Sequence, residues 1–252
     1  MCIMAPTDIY VQNLILDFIR EKNVESVCDY GCGKGGLLAA LDREFPGRLS
    51  LTGVDCFSTF PEPQRPEAGA GITLVDRETD QFEDLLEQGR FDLVVSTFAL
   101  HHYRYPVREL GNMAALLAPG GAMIIADLAF DNLNSAQIVK NICSYVWENF
   151  AAFQGKYHRH HYTLEEALDI LSAVDVEVTE AFKKRITLSD ADLEEEARSQ
   201  LAHFDRSVTA LPGFESRIMK DYFRFLMPYL RNMVEEHKID YSSILVIVAR
   251  KL

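Results

Sequence analysis

Cysteine pairing is absent from this sequence. Its five cysteines, Cys2, Cys28, Cys32, Cys56 and Cys143, form no CxxC and no zinc-ligand spacing. That excludes a zinc ribbon and a disulfide scaffold, so no metal is expected and reduced cytoplasmic thiols are the plain reading. No apolar run approaches the roughly 20 residues of a membrane helix, and the start carries no signal-peptide pattern. A soluble, cytoplasmic protein without a membrane partner is therefore expected. Positive charge is also scarce: 25 Lys and Arg stand against 38 Asp and Glu, a formal charge of −13, which makes nucleic acid an unlikely partner. There is no internal repeat and no low-complexity tract. What is present, 252 residues with 48% hydrophobic content, fits one sizeable α/β unit.

The most informative stretch is Val27-Cys28-Asp29-Tyr30-Gly31-Cys32-Gly33-Lys34-Gly35-Gly36. It follows a short run with β-branched residues and precedes Leu37-Leu38-Ala39-Ala40-Leu41, so it reads as a strand-to-helix turn. Glycine at 31, 33 and 35 removes Cβ atoms where a tight turn needs positive φ. A helix opening near Gly35 directs unpaired N–H groups at whatever lies above the strand. Gly31-x-Gly33-x-x-Gly36 satisfies the dinucleotide fingerprint literally. Asp29, however, sets a carboxylate beside the ligand, which opposes a pyrophosphate and attracts an ammonium group. A plain turn cap is the alternative role for Asp29.

Strands and helices alternate beyond the loop, as a parallel sheet with crossover helices requires. Helices are expected near Asp8–Lys22, from Gly35 to about Phe45, near Gln81–Gln88 and near Val107–Leu117. Strands are expected over Val24–Tyr30, Leu49–Asp55, Ile72–Val75, Phe91–Thr97 and Ala122–Leu128, the last entered through Pro119-Gly120-Gly121. Pro61, Pro63 and Pro66 predict a rigid non-helical excursion. Thr163 and Glu166 form a capping box for a further helix. Two more helices are expected within 183–240. One carries Leu193, Ala197, Leu201, Phe204 and Val208 on its apolar face, and the other presents Ile218, Tyr222, Phe225, Leu226, Tyr229 and Met233, with Pro228 expected to interrupt or kink it.

Asp29-x-Gly31-x-Gly33-x-Gly35 resembles motif I of class I S-adenosylmethionine-dependent methyltransferases. Later segments repeat the resemblance. Asp55, 24 positions after Gly31, ends Leu51-Thr52-Gly53-Val54-Asp55, and a carboxylate there accepts ribose hydroxyls. Asp76 ends Ile72-Thr73-Leu74-Val75-Asp76 and is similar to the acid that faces the adenine amino group, with an ordinary turn carboxylate as its alternative. Phe91–Thr97 followed by Leu100-His101-His102 resembles motif IV of the small-molecule enzymes. The resemblance covers residues 24–182 and 241–252. It implies a three-layer Rossmann-like α/β fold whose seven-stranded, mostly parallel sheet has the order 3-2-1-4-5-7-6, with an antiparallel last strand. It implies S-adenosylmethionine as cofactor, bound by Asp29, Gly31, Gly33, Asp55, Cys56, Asp76, Ser96 and Thr97.

Methyl transfer needs a nucleophile held in line about 3 Å from an already activated carbon, so the protein contributes positioning and removal of a proton. His101 and His102 follow the cofactor-facing strand and are the candidates for base or substrate-orienting roles; packing under a loop is their alternative. Tyr103 is a candidate substrate contact. The second histidine cluster, His158-Arg159-His160-His161, precedes the Tyr162-Thr163 helix start. Arg159 and His160 are its candidate substrate residues, while no ligand set for a metal is visible. No Asn/Asp-Pro-Pro-Tyr follows the fourth strand, which counts against base-amine or glutamine-amide acceptors. One domain is expected: an N-terminal helix over 1–22, a cofactor-binding core over 24–182, a helical insertion over 183–240 and a last strand over 241–252. The insertion has three roles open to it: a lid, a homodimer surface or a cover for the domain's own core. Methyl transfer to a small molecule leads. A noncatalytic methyltransferase-like scaffold and a NAD(P)-dependent oxidoreductase are the alternatives.

Overall fold

The computed structural model describes residues 5–57, 71–131, 133–153, 157–210 and 216–252; the expected excursion at Pro61, Pro63 and Pro66 lies outside them, as does Cys2. In chain order the elements are α1 (Pro6–Lys22), β1 (Ser26–Tyr30), α2 (Gly36–Glu44), β2 (Ser50–Asp55), β3 (Ile72–Asp76), α3 (Asp80–Gln88), β4 (Phe91–Thr97), a 3-10 turn (Leu100–His102) and α4 (Pro106–Leu116). There follow β5 (Leu117–Leu128), α5 (Ser135–Phe153), α6 (Leu164–Leu171), β6 (Val176–Lys184), α7 (Asp190–Ala210), α8 (Arg217–His237) and β7 (Ile244–Lys251).

The seven strands form one sheet in the order β3-β2-β1-β4-β5-β7-β6, as expected. Only β7 runs antiparallel to its neighbours. The reason is legible in the strands themselves. Strands covered on both faces read as near-continuous apolar runs, and β4 (Phe-Asp-Leu-Val-Val-Ser-Thr) and β7 (Ile-Leu-Val-Ile-Val-Ala-Arg-Lys) are buried along most of their length. By contrast β6 (Val-Glu-Val-Thr-Glu-Ala-Phe-Lys-Lys) is largely exposed, and its charges blunt the sheet edge.

The chain divides into two compact units. The first comprises Met1–Ala129, His161–Lys184 and Ile244–Leu252 and holds the whole sheet. One of its cores joins Tyr30, Val94, Leu110, Met123, Tyr162 and Leu171. The capping box expected at the start of α6 is formed: Glu166 N–H donates to Thr163 Oγ1 (3.1 Å) and Thr163 N–H donates to Glu166 Oε2 (2.9 Å). The second unit comprises Phe130–His160 and Arg185–Ser243. It is a helical body whose core takes Val139, Cys143 and Val146 from α5, Ala197 and Phe204 from α7, and Phe223, Met227, Leu230 and Val234 from α8.

Four readings are corrected here. The sequence reading placed no element over α5, although its apolar residues close the second core. α8 runs unbroken past Pro228: the imide nitrogen offers no donor to the preceding turn, but the buried row on either side carries the helix. Of the apolar residues first assigned to α8, Leu226 and Met233 pack against the second core, but the rest do not. Ile218, Phe225 and Tyr229 are exposed by 77%, 66% and 57%, whereas Phe223, Met227, Leu230 and Val234 form the buried row. In β5 the pairing begins at Leu117, so Pro119-Gly120-Gly121 lies inside the strand rather than before it.

Candidate active site

Strand order reverses between β1 and β4, which places a crevice above the carboxyl ends of the strands. The glycine loop enters it from β1. Gly31 has φ of +83°, and a Cβ there would lie 2.8 Å from the Ala99 Cβ and 3.1 Å from the Tyr103 hydroxyl. Only glycine satisfies both the left-handed backbone and that approach. Gly33, at φ +54°, has no atom within 4 Å of where its Cβ would stand, so the loop is open on that side.

Two carboxylates flank the loop in different states. Asp55 is tied to it: Gly33 N–H donates to Oδ2 (2.8 Å) and Cys56 N–H to Oδ1 (2.7 Å). Each oxygen keeps a second lone pair, so the carboxylate can still accept two hydroxyls. Asp29 is 1% exposed, and its Oδ1 has no hydrogen-bond partner. Burial, then the like charge of Asp55, pushes its carboxyl up to about 7. An orphaned buried carboxylate oxygen costs about 1–3 kcal/mol or more, and an ammonium group placed against it would recover that loss.

At the end of β3, Asp76 accepts from Glu78 N–H (3.0 Å), the geometry of a turn carboxylate. The neighbouring Arg77 reaches Cys56 Sγ (2.9 Å) and Glu109 (2.7 Å), and the buried Glu109 also accepts from the Tyr30 hydroxyl (2.6 Å). Cys56 is thus held at Asp55 by its backbone and at Arg77 by its sulfur. Burial raises its thiol despite the guanidinium.

On β4, Thr97 is half-buried, while Ser96 is fully buried with its Oγ 2.7 Å from the Tyr103 hydroxyl. Tyr103 in turn donates to the Tyr30 carbonyl (3.0 Å). The Tyr103 hydroxyl is therefore committed to the floor beneath the glycine loop. After β4, Phe98 adopts φ +52° and donates its N–H to the Ala126 carbonyl (2.7 Å). This left-handed residue turns the chain into the 3-10 turn that carries both histidines.

His101 is buried and His102 exposed. His101 Nδ1 lies 2.8 and 3.0 Å from the two oxygens of Asp127, and its backbone N–H donates to the same carboxylate (3.2 Å). Asp127 is 0% exposed at the carboxyl end of β5 and also accepts from Leu128 N–H (2.8 Å). The ring of His161 packs against that of His101, centroids 4.5 Å apart at 62°. Sequence reasoning missed Asp127 and named His161 only as part of its cluster, with Arg159 and His160 put forward in its place. The rule that singled out Asp29, Asp55 and Asp76, a carboxylate closing a strand, applies equally to Ile124-Ile125-Ala126-Asp127. His161 belongs to the first unit, whereas its neighbours Arg159 and His160 belong to the second. There Arg159 donates to the His160 carbonyl (3.1 Å), and His160 packs against Phe130 and Tyr145.

Residues 10–181 match a family model described as a methyltransferase domain, which covers more than half of the chain. An uncharacterized methyltransferase of Anoxybacillus flavithermus is 28% identical over 157 residues, 62% of this chain and 70% of that protein. The chloroplastic tocopherol O-methyltransferase of Arabidopsis thaliana is 28% identical over 131 residues, 49% of this chain and 36% of that one. Phosphoethanolamine N-methyltransferase 2 of Haemonchus contortus, solved with S-adenosyl-L-methionine, shares the fold at a TM-score of 0.51 and 17% identity, with 90% of this chain and 48% of that chain covered. The chain thus spans less than half the length of the latter two. With the motif order, the sheet order and the family match in agreement, the chain belongs to the class I S-adenosylmethionine-dependent methyltransferases.

Proposed function

We propose that the protein moves a methyl group from S-adenosylmethionine to a small-molecule acceptor. The observation that carries this reading is Asp29, a buried carboxylate with an orphaned oxygen beside an open glycine loop. These residues fit a ligand that carries a cationic amino group and ribose hydroxyls. They do not suit a pyrophosphate, which Asp29 would repel. When bound, the cofactor supplies a methyl carbon already activated by its sulfonium.

In this reading Asp29 receives the ammonium group, and Gly31 and Gly33 leave space for close backbone approach. Asp55 and Cys56 meet the ribose, Asp76 the adenine edge, and Thr97 the methionine end. Ser96 supports Thr97 from within the strand through its bond to Tyr103. His101 and His102 stand where the chain leaves β4, on the acceptor side. A small acceptor is favoured by the charge of −13, which repels nucleic acid, and by the absence of Asn/Asp-Pro-Pro-Tyr after β4. The tocopherol named for one relative is consistent with such an acceptor. Cys28, Cys32, Cys56 and Cys143 are in no disulfide, in keeping with a reducing compartment such as the cytoplasm. Among the described residues no helix is long and apolar enough to cross a membrane.

Calorimetric titration with S-adenosylmethionine and with NAD tests the reading. Saturable binding of S-adenosylmethionine alone is expected, and binding of NAD alone would overturn it in favour of an oxidoreductase. Release of S-adenosylhomocysteine with a metabolite panel separates an enzyme from a noncatalytic scaffold.

A further inference from the structure

We propose that Arg77 is a positioning residue for the ribose subsite. It grips Asp55 and Cys56 together, aims the Asp55 carboxylate at the ribose hydroxyls, and so sets how strongly the protein prefers a ribose ligand to a deoxyribose one. This rests on the methyltransferase reading and on Asp55 as its ribose acid.

Asp55 closes β2, and its paired residue in β3 is Asp76. Arg77 stands one residue past that pair and holds the end of β2 at two points. Its backbone N–H donates to the Asp55 carbonyl (2.9 Å), and its guanidinium Nη2 donates to Cys56 Sγ (2.9 Å). Cys56 N–H in turn donates to Asp55 Oδ1 (2.7 Å), while Gly33 N–H donates to Oδ2 (2.8 Å). Each carboxylate oxygen is thus set by one amide, one from the glycine loop and one from Cys56. A carboxylate meets two neighbouring hydroxyls only when its plane is aimed at both. The Cys56 amide keeps Oδ1 in that plane only while Cys56 itself is held, and Arg77 holds it from the β3 side.

The other arm of the guanidinium is anchored. Nη1 lies 2.7 Å from Oε2 of the buried Glu109 in α4. Glu109 takes two further donors, the Tyr30 hydroxyl on Oε2 (2.6 Å) and Arg108 on Oε1 (2.7 Å). A buried carboxylate with three donors is a rigid post, so the fork it carries is rigid as well. Tyr30 lies between Asp29 and Gly31, so the contacts run from β1 through α4 and β3 to the end of β2. They join the strand that bears Asp29 to the strand that bears Asp55. Satisfying the charge of Glu109 needs one cation, and Arg108 already supplies it. What Arg77 adds is the reach to Cys56. That reach needs arginine: a planar fork spans an acid and a sulfur at once, whereas a lysine ammonium is a single, strongly hydrated point on a flexible stem.

The test is Arg77→Lys in the full chain, titrated by calorimetry with S-adenosylhomocysteine and with its 2′-deoxyribose analogue. The wild type should prefer the ribose ligand. In Arg77→Lys the affinity for S-adenosylhomocysteine should fall by about 3–10-fold, with a smaller loss for the deoxy analogue, so that the preference shrinks. A general loosening of the fold would weaken both ligands alike and leave their ratio where it was. In an Asp55→Ala background the same Arg77→Lys change should cost less than about twofold, because residues that act through one another are not additive. Glu109→Gln keeps the shape of the anchor and removes its charge. It should move the ratio in the same direction, and it carries the test should Arg77→Lys not fold. An unchanged ratio in a folded variant overturns the proposal. So does an Arg77→Lys loss as large without Asp55 as with it. A wild type that binds both ligands equally withdraws Asp55 from the ribose and the role of Arg77 with it. A wild type that binds neither S-adenosylhomocysteine nor S-adenosylmethionine overturns the methyltransferase reading itself, a result that no Arg77 variant can mimic.

Discussion

Asp29 and Asp127 are both carboxylates at strand ends, both almost wholly buried, and they sit in opposite electrostatic states. Asp29 has an oxygen without a partner and a like charge as its neighbour, and its carboxyl is pushed up to about 7. Asp127 has two backbone N–H donors and an imidazole, and its carboxyl is held below the ordinary value in spite of burial. A buried acid is costly unless something positive or hydrogen-bonding meets it. At Asp127 the protein supplies that something from its own chain. At Asp29 it does not, and in the proposed function a ligand completes the site. One position is finished by folding and the other, in that reading, by binding.

Removing the two acids should therefore have opposite consequences for the ligand-free protein. Asp127→Ala leaves the buried His101 ring and the His101 and Leu128 N–H groups without their acceptor and should lower unfolding stability in urea by about 1–3 kcal/mol for each group left unsatisfied. Asp29→Asn removes a like-charge neighbour of Asp55 and should leave stability unchanged or higher. Equal losses at both positions would erase the contrast.

Cofactor affinity sharpens the distinction within the loop itself. Asp55→Ala removes a charged acceptor and frees the Gly33 amide it anchors, at about 1.5–3 kcal/mol for hydrogen bonds to a charged group. That is about 10–100-fold in Kd by calorimetry. Unchanged affinity would withdraw Asp55 from the ribose.

A further contrast is in the response to pH. The folded, ligand-free protein keeps the Asp29 proton that an unfolded chain has already released. Its stability should accordingly fall as pH rises from the ordinary aspartate range towards about 7. Binding a cation favours the ionised form, so the sign reverses for affinity. Cofactor binding should strengthen as pH rises to about 7, by at most about tenfold per pH unit, and weaken once the α-amino group deprotonates near about 8. Titration in buffers of different ionisation heat should detect proton release at pH 6 that is absent in Asp29→Asn.

The strands and the glycine loop were legible because they are written locally: apolar runs of strand length, glycines at a turn, and acids at strand ends; the sheet order came from the family resemblance that these motifs carry. The α6 capping box was legible for the same reason. The second unit was not. Helical periodicity shows that α8 is amphipathic, but it carries apolar residues on two faces. Whether Phe223 or Phe225 goes inside is decided by what α5 and α7 present to it. Tyr103 illustrates a different limit. As a tyrosine after two histidines it suggested a substrate contact, and only the fold shows its hydroxyl bonded to Ser96 and the Tyr30 carbonyl.

The sequence by itself determined the family, the cradle and the strand-end acids, since each of these follows from residues adjacent in the chain. Only the tertiary structure decided which acids are satisfied. His101, Asp127 and His161 are tens of residues apart in the chain and meet because β4, β5 and the entry to α6 end at one place. Charge state in a buried site depends on such meetings, since burial and neighbouring charge, not residue type, set whether a carboxylate is held down or left waiting for a cation.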